Sequence, residues 1–394
     1  MHLAIFAAIK TLKKYSELKK IKKRISLVLL YVGALLLALV IAVQLFVAYY
    51  PSFGGDVTKQ RQELYADSAQ FEAGTFQNQD SGSAKDFSLN KVLKIFRKFF
   101  FEQVENGVPE NNIAIQKIDI ADITAFNEGT RLYWFGHSTF LMQIDSTTIL
   151  IDPMLSEVPA PHPWLGDKRF SDELPIDIEN LPKIDAVIIS HDHYDHLDYA
   201  SILKLKDKVG AYFVPLGVGV HLEAWGVSSA KIHEKDWWEA TTFKNMQLTC
   251  TPAQHFSGRK FNNRKSTLWS SWVIKSKDAN IYFSGDSGYG KHFAQIGESH
   301  GPFDLALVEC GQYNKMWPDI HMFPEESAQA GLDLKARAIM PIHWGAFKLS
   351  MHAWTAPIKQ IRKEAAALGI PLMTPEIGAP IRIETLPEPN TVWW

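Results

Sequence analysis

The chain contains the stretch His191-Asp192-His193-Tyr194-Asp195-His196, which places three imidazoles and two carboxylates within six residues. It follows the apolar run at residues 186–189, whose length and branched side chains predict a buried strand. The polar cluster is therefore expected on a loop at the end of a rigid strand. Unpaired charged groups are costly there, and a metal ion is the usual remedy. Imidazole and carboxylate suit zinc, and also iron or manganese. A solvated, histidine-rich loop is the alternative.

Three further predicted strands end close to a residue that could bind a metal. Residues 248–251 lead to His255, residues 281–283 lead to Asp286, and residues 338–342 lead to His343. A histidine taken alone is more often a satisfied core or surface residue than a ligand. Together with the cluster at residues 191–196, however, these three residues form a set of candidate ligands.

This series, His-x-His-x-Asp-His and then His, Asp and His, resembles the metal-binding signature of the metallo-β-lactamase superfamily. The flanking motifs are similar to one branch, the N-acyl-phosphatidylethanolamine-hydrolysing phospholipases D and their bacterial relatives. The resemblance covers roughly residues 53–380, nearly all of the chain beyond its N-terminal segment. The flanking motifs are Tyr133-Trp134-Phe135-Gly136-His137-Ser138-Thr139-Phe140, Ile149-Leu150-Ile151-Asp152-Pro153-Met154, Thr267-Leu268-Trp269-Ser270-Ser271-Trp272 and Pro341-Ile342-His343-Trp344-Gly345-Ala346-Phe347.

The resemblance implies an α/β fold, the αβ/βα sandwich of the metallo-β-lactamases, around two divalent metal ions. Zinc is the first choice for these ions, with iron or manganese as alternatives. Seven side chains bind the metals in the family's pattern. They are His191, His193 and His255 at one metal, Asp195, His196 and His343 at the other, and Asp286 between the two.

Other residues near the motifs have less certain assignments in this pattern. Asp192 is not a ligand and is expected to support its loop. Asp152 either orients a ligand histidine through its distal N–H or simply begins a turn before Pro153. His137 and Arg259 are interpreted as structural.

The entrance to the site is less well defined. Gln312, Tyr313 and Trp317 either line an acyl-chain channel or belong to the core. Residues 349–354 depart from the branch, which leaves the shape of the substrate entrance open.

The implied charges favour the hydrolysis of an anionic group, or of one that becomes anionic. Two divalent cations outweigh Asp195, Asp286 and a bridging hydroxide, which leaves about one unit of positive charge. Metals lower the pKa of bound water to about 7, and the hydroxide then attacks phosphorus or a carbonyl carbon. Asp195 and Asp286 are therefore counted as catalytic.

His321 is the third residue assigned to catalysis. It stands shortly before a helix that Pro324 opens. In the phospholipase branch, a histidine at the matching place lies close to the substrate phosphate. We expect His321 to contact that phosphate or to protonate the leaving alkoxide. A capping or surface histidine is the alternative.

The N-terminal segment predicts a single-pass membrane anchor. Residues 25–50 are almost wholly apolar and uncharged, and about 20 apolar residues suffice to cross a bilayer. Residues 1–24 form a basic, partly helical arm whose only acid is Glu17. This bias places the N-terminus in the cytoplasm and the catalytic domain outside it, on the periplasmic side of the inner membrane in a Gram-negative cell. A cleaved signal peptide is the rival interpretation, although residues 48–51 make a poor cleavage site.

The rest of the chain divides into a connecting region, residues 51–112, and a hydrolase domain, residues 113–394. The connection is expected to be loose at residues 77–83 and to end in an amphipathic helix near residues 88–101, with Ser88 as its N-cap. The apolar stripe of this helix either docks on the domain or lies on a lipid surface. The domain is predicted to contain strands at residues 131–135, 140–144 and 148–151, and helices at residues 197–205, 324–334 and 356–368.

These features favour a membrane-anchored phospholipase D-type phosphodiesterase that acts on N-acyl phosphatidylethanolamine or a similar phospholipid. The alternative is a metal-dependent lactonase or phosphodiesterase that acts on a small soluble substrate. A non-enzymatic role would be expected to have lost ligands, and none is lost. A net charge of −2 gives no indication of nucleic-acid binding, and two cysteines imply no disulfide framework. A homodimer is left open.

Overall fold

The computed structural model describes residues 2–80, 89–102, 104–385 and 392–394. The predicted N-cap Ser88 and residues 81–83 of the polar stretch lie outside the described residues. The chain divides into two compact units, Met1–Phe53 and Gly54–Trp394. The boundary predicted at residue 112 between connection and hydrolase domain stays a prediction.

The first unit is mainly one helix, α1, at His2–Tyr49, followed by a short 3-10 turn at Pro51–Phe53. The basic arm and the apolar run are thus continuous. Within the described residues, Ile9–Tyr49 is long and apolar enough to be a candidate membrane span, a test that a signal sequence also passes.

The second unit contains two large sheets, a small hairpin and eight helices among its described residues. The helices are α2 Lys59–Leu64, α3 Leu89–Phe101, α4 Ile120–Ala125, α5 Tyr199–Leu205, α6 Gly219–Ala224, α7 His292–His300, α8 Pro324–Asp333 and α9 Ala356–Leu368. The strands are β1 Phe71–Glu72, β2 Thr75–Phe76, β3 Thr130–Trp134, β4 Phe140–Ile144, β5 Thr147–Ile151, β6 Ile184–Ile188, β7 Val209–Pro215, β8 Ile232–Lys235, β9 Ala240–Phe243, β10 Met246–Thr251, β11 Ser271–Lys275, β12 Asn280–Phe283, β13 Leu305–Glu309, β14 Ile339–Ile342 and β15 Pro380–Arg382.

The two large sheets form the sandwich. The seven-stranded sheet has the order β15-β3-β4-β5-β6-β7-β8, and the six-stranded sheet has the order β14-β13-β12-β11-β10-β9. Their strands are so apolar that most side chains are buried on both faces, as expected for sheets covered on each side. The inner faces share one core, in which Trp134 and Phe140 of one sheet join Trp272 and Phe283 of the other. This is the predicted metallo-β-lactamase fold.

The strand directions bring the polar motifs to one edge. Strands β5 and β6 are parallel, so residues 152 and 190–191 follow them on the same side. Strands β12, β13 and β14 are parallel to one another, and β10 runs in the same direction because it lies two antiparallel steps from β12. The candidate ligands therefore follow the carboxyl ends of four of these six strands, β6, β10, β12 and β14.

Two local predictions need correction. The helix predicted from residue 197 begins at Tyr199, because the Asp198 carboxylate accepts the Ser201 N–H at 2.9 Å and caps the helix. The described part of the polar stretch is not loose, since Asn78 is buried. Its amide donates to the His255 carbonyl at 2.9 Å and accepts the His255 N–H at 3.1 Å. The connecting region thus fixes the backbone of a candidate ligand.

Candidate metal centre

The first donor group comprises His191, His193, His255 and Asp286, whose ligand atoms lie within 4.8 Å of one another. His193 Nδ1 is 2.9 Å from His191 Nε2 and 3.2 Å from His255 Nε2. Asp286 Oδ2 lies 3.8 Å from His191 Nε2 and 3.7 Å from His255 Nε2. Three histidines from the β6 and β10 ends thus converge with a carboxylate from the β12 end.

The second donor group comprises His137, Asp195, His196 and His343, again within 4.8 Å. His343 Nε2 and His196 Nε2 lie 3.1 Å and 3.4 Å from Asp195 Oδ2. Asp286 reaches this group too, because its Oδ1 is 3.1 Å from His196 Nε2 and its Oδ2 is 3.1 Å from His343 Nε2. Asp286 therefore stands between the two donor groups.

The donor atoms fit divalent cations. His196 Nε2 and Asp286 Oδ1 are buried and, among the described residues, have no hydrogen-bond partner, although they lie 3.1 Å apart. Orphaned polar atoms of this kind are costly, and a cation between them would satisfy both. Burial lowers the pKa of His343, but the charge of Asp286 and the hydrogen bonds to Asp195 and Glu309 outweigh burial and raise the pKa to about 10. The carboxylates thus draw positive charge into the cluster, as a metal site of mixed nitrogen and oxygen donors requires.

The distal nitrogens of the histidines are held by a second layer of contacts. His196 Nδ1 lies 2.7 Å from Asp152 Oδ2, and the Ser190 backbone N–H donates to Asp152 Oδ1 at 2.7 Å. His255 Nδ1 donates to the Ile320 carbonyl at 2.9 Å, which fixes its tautomer and leaves Nε2 as the ligand atom. Asp152 therefore orients a candidate ligand histidine and does not merely begin a turn.

Comparison with known proteins agrees with this geometry. Residues 147–344 match the family described as the beta-lactamase superfamily domain. An uncharacterized protein of Mycobacterium tuberculosis is 43% identical over 266 residues, which cover 66% of this chain and 70% of that protein. The chain belongs to the metallo-β-lactamase superfamily. It is accordingly a metal-dependent hydrolase.

Two further similarities concern this metallo-β-lactamase superfamily member. The N-acyl-phosphatidylethanolamine-hydrolyzing phospholipase D 1 of Caenorhabditis elegans is 30% identical over 275 residues, 66% of this chain and 77% of that protein. The structure of an isothiocyanate hydrolase from Delia radicum gut bacteria has a TM-score of 0.50 at 21% identity, covering 64% of this chain and 97% of that one. The second similarity shows the fold.

Asp192 supports the ligand loop from inside the protein, as the sequence predicts. It accepts the Gly258 N–H at 2.7 Å and the Thr267 hydroxyl at 2.9 Å, and it contacts His221 Nε2 at 3.2 Å. Burial would raise the pKa of Asp192, but these partners hold it below its usual value. Arg259 is also structural, since it donates to the carbonyls of Asp192 and Leu197 at 2.6 and 2.8 Å.

His321 lies beside the metal centre. Its ring stacks on His343 with centroids 5.1 Å apart and an angle of 15°, and its Nδ1 is 3.3 Å from Glu309 Oε1. It can form a donor group with Asp286 and His343, and it faces a cavity of about 560 Å³ that opens over the metal ligands. The position is therefore one from which a side chain can reach a substrate held at the metals.

The entrance residues divide between two cavities. Gln312, Trp317 and Leu349 line the cavity at the metal ligands. Tyr313 and His352 stack with centroids 4.5 Å apart and line a neighbouring cavity of about 510 Å³. Residues 349–354, which depart from the phospholipase D branch in sequence, thus contribute to the walls of both cavities.

Sequence reasoning missed two residues of the site. Glu309 is fully buried at the end of β13, and its Oε1 lies 3.2 Å from His343 Nδ1. An acid that closes an apolar strand is the signal that could have found it. His137, interpreted as structural, belongs to the second donor group, and its position after Gly136 on a turn gives little indication of this role.

Proposed function

We propose that this hydrolase is a phospholipase D-type phosphodiesterase that cleaves N-acyl phosphatidylethanolamine or a similar phospholipid at two bound metal ions. The seven ligands are those given above, with zinc as the first choice of metal. The observation that carries the proposal is the cavity over the ligands. Its floor is ionic and its walls are apolar, which suits a molecule with a phosphodiester and long acyl chains.

The cavity walls come from three parts of the chain. Ile95 and Phe96 of α3 form one part of the wall. Phe256 and Trp317 form two further parts. The floor contains His193, Asp195, His255, Asp286 and His343. Pockets that bind small molecules are commonly apolar with a few convergent polar groups, and this one places its polar groups at the metals.

The surface around α3 supports a lipid substrate. Leu93, Phe96 and Phe101 are 57%, 54% and 77% exposed, and Lys94 and Arg97 lie exposed among them. The side chains of Leu89, Val92, Phe99 and Phe100 lie outside the described residues. A helix that keeps large apolar side chains and cations at the surface fits a lipid interface better than a docked stripe.

A loop on the cavity rim has the same character. Phe256 and Arg264 line the cavity, and Phe261 in the loop between them is 89% exposed. The rim therefore presents apolar rings outward next to the opening, so an acyl chain could pass from a lipid surface to the metals without crossing water. Similarity to the Caenorhabditis elegans phospholipase D, at 30% identity, favours the same substrate class.

The roles of the chain's own groups follow from their positions. Bound divalent cations would supply a water molecule of lowered pKa and stabilise negative charge on the phosphate. Asp286 would hold both metals, and Asp195 would hold one. His321, whose Nδ1 lies 3.3 Å from the Glu309 carboxylate, would donate a proton to the departing alkoxide as the bond between phosphorus and the ethanolamine oxygen breaks. The products are phosphatidic acid and an N-acylethanolamine.

The location of the enzyme is part of the proposal. We infer that α1 spans the membrane, because its apolar part is long enough and the cations of residues 1–24 favour a cytoplasmic N-terminus. The catalytic unit would then lie on the other side, tethered close to its lipid substrate.

The test of the proposal uses the full chain, purified in detergent and analysed for metal. The metallated protein is expected to release N-acylethanolamine from N-acyl phosphatidylethanolamine in mixed micelles, measured by mass spectrometry. Phe96→Asp is expected to lower kcat/KM for this lipid roughly tenfold or more, since burying a Phe side chain is worth about 1.5–3 kcal/mol. Turnover of bis(p-nitrophenyl) phosphate, which has no acyl chain, should change less than about twofold.

The matched control is Leu368→Asp, which places the same charge on an exposed apolar residue at the end of α9. It should leave both activities unchanged. A fully metallated protein that hydrolyses a soluble ester or lactone but releases no N-acylethanolamine would replace the proposal with the small-substrate alternative.

A further expected result concerns His321→Ala. Metal content should stay normal, while kcat falls roughly 100- to 1,000-fold, within the range of general acid–base catalysis. Metal analysis and lipid turnover of the same sample check this. The control is His233→Ala, an exposed histidine on β8 that should not matter. Unchanged turnover of the His321 variant would leave this residue without a catalytic role.

A further inference from the structure

His137 occupies a turn that joins the two sheets beside the metal centre. It follows β3 and has a φ of 55°, a left-handed backbone that few side chains adopt readily. Its N–H donates to the Trp344 carbonyl at 2.9 Å, and its own carbonyl accepts the His343 N–H at 3.0 Å. This bridge ties the turn of the seven-stranded sheet directly to the ligand that follows β14.

The His137 side chain points to the candidate ligand Asp195. Its Nε2 lies 2.9 Å from Asp195 Oδ2, and its ring packs on His343 with centroids 4.2 Å apart. The same Asp195 oxygen is the point on which His343 Nε2 and His196 Nε2 converge. A single buried imidazole therefore contacts the carboxylate of the second donor group at its shared atom.

The tautomer of His137 follows from its surroundings. A carboxylate oxygen accepts, so Nε2 must carry the proton and donate. Nδ1 is buried and has no hydrogen-bond partner among the described residues, which suits a bare lone pair better than a second N–H. The imidazole of His137 is thus neutral, with its Nε2–H donated to Asp195 and its Nδ1 unprotonated.

We propose that His137 is a positioning residue that fixes the Asp195 carboxylate toward the metal of the second donor group and so sets the affinity of that metal. The inference depends on the ligand set proposed above. Without the Nε2 hydrogen bond, the Asp195 carboxylate can rotate about its Cβ–Cγ bond. Its Oδ2 atom is then no longer held next to His343 Nε2 and His196 Nε2. Loss of such an outer contact to a metal ligand typically weakens metal binding 10- to 100-fold.

The test is Co²⁺ titration of the metal-free full chain, with free Co²⁺ set by a chelator buffer and the two binding steps followed by visible absorption. The informative variant is His137→Asn, because Asn tolerates the left-handed backbone but is too short to reach Asp195. It should bind the first Co²⁺ normally and the second 10- to 100-fold more weakly. His137→Gln, which can place an N–H near the Nε2 position, should recover part of the loss.

A double-mutant cycle shows whether His137 acts through Asp195. Asp195→Ala should weaken the second step strongly, and adding His137→Asn should weaken it little further. A purely structural turn residue would instead lower the thermal stability of the metal-free protein and weaken both steps together. Additive losses, equal weakening of both steps or an unchanged second step would each overturn the proposal.

The outcomes also distinguish a failure of the His137 proposal from a failure of the proposed phospholipid activity. A wild-type chain that binds two Co²⁺ ions but cleaves no phospholipid refutes the proposed substrate, while the cycle still decides the role of His137. A wild-type chain that shows no second binding step refutes the ligand set and the role of His137 together.

Discussion

Replacing Asp286 by Asn is expected to lower kcat/KM for hydrolysis by roughly 10³-fold or more. Among the residues that the structure describes, Asp286 is the one carboxylate that reaches both donor groups, with Oδ1 3.1 Å from His196 Nε2 and Oδ2 3.7 Å from His255 Nε2. The metals are worth several kcal/mol of transition-state stabilisation, and each 1.36 kcal/mol is a factor of ten in rate. An amide offers one neutral oxygen in place of two charged ones, so it cannot hold two cations at the same spacing.

The loss should appear in metal content and stability as well as in rate. A metal that binds only the folded chain stabilises it by about 2.7 kcal/mol at a hundred times its dissociation constant. Differential scanning fluorimetry with and without metal should therefore show a large metal-dependent shift in the wild type and a small one in Asp286→Asn. Asp145→Asn is the matched control, since Asp145 is a buried acid on the turn between β4 and β5, which joins their far ends. If Asp286→Asn retained both metals and near-normal turnover, the assignment of Asp286 as the shared ligand would be wrong.

The convergence of the candidate ligands could be predicted from sequence because each of them follows a short apolar strand. Residues 186–189 lead to the histidine cluster, and similar runs lead to His255, Asp286 and His343. A buried strand fixes where its last residue points, so a local pattern carries long-range information. The resemblance to a known superfamily then supplied the arrangement of the sheets, which periodicity alone does not specify.

The residues that sequence reasoning missed depend on tertiary neighbours. His137 stands on a turn that pairs with Trp344 of the other sheet, and its side chain contacts Asp195, which is 58 residues away in the sequence. Asn78 lies in a polar stretch without periodicity, yet it binds both backbone polar groups of His255. The apolar face of α3 is visible in the sequence, but whether it is covered depends on what packs against it.

Replacing Glu309 by Ala is expected to reduce kcat/KM by roughly 10³-fold and to destabilise the protein by about 3–5 kcal/mol. The carboxylate is fully buried and has three neighbours. Its Oε2 accepts the Met322 N–H at 2.8 Å, and its Oε1 lies 3.2 Å from His343 Nδ1 and 3.3 Å from His321 Nδ1. Its removal leaves the Met322 N–H and the His343 imidazole without a buried acceptor, and breaking a buried charged network of this kind costs about that much.

The Glu309→Gln variant tests the negative charge of Glu309 apart from the volume of its side chain. The amide keeps one acceptor for Met322 or for His343, but its NH₂ group then faces another donor. Metal binding at the second donor group should weaken 10- to 100-fold, because the distal N–H of His343 loses its carboxylate. His321 loses the negative charge that lies 3.3 Å from its Nδ1, so kcat should fall even when metal is saturating. Neither effect is expected from loss of packing alone, because glutamine fills almost the same volume.

Urea unfolding, metal titration and lipid turnover of the two variants together test this assignment. The control is Glu384→Ala, which removes a carboxylate that accepts the Thr130 N–H at 2.6 Å at the start of β3, away from the ligand edge. It should cost stability without changing metal affinity or kcat. If Glu309→Gln behaved like this control, Glu309 would be a packing residue of β13 with no part in orienting His343 and His321. A selective loss of metal affinity and kcat would instead show that the buried acid at the end of β13 supports both the metal ligand and the proposed proton donor.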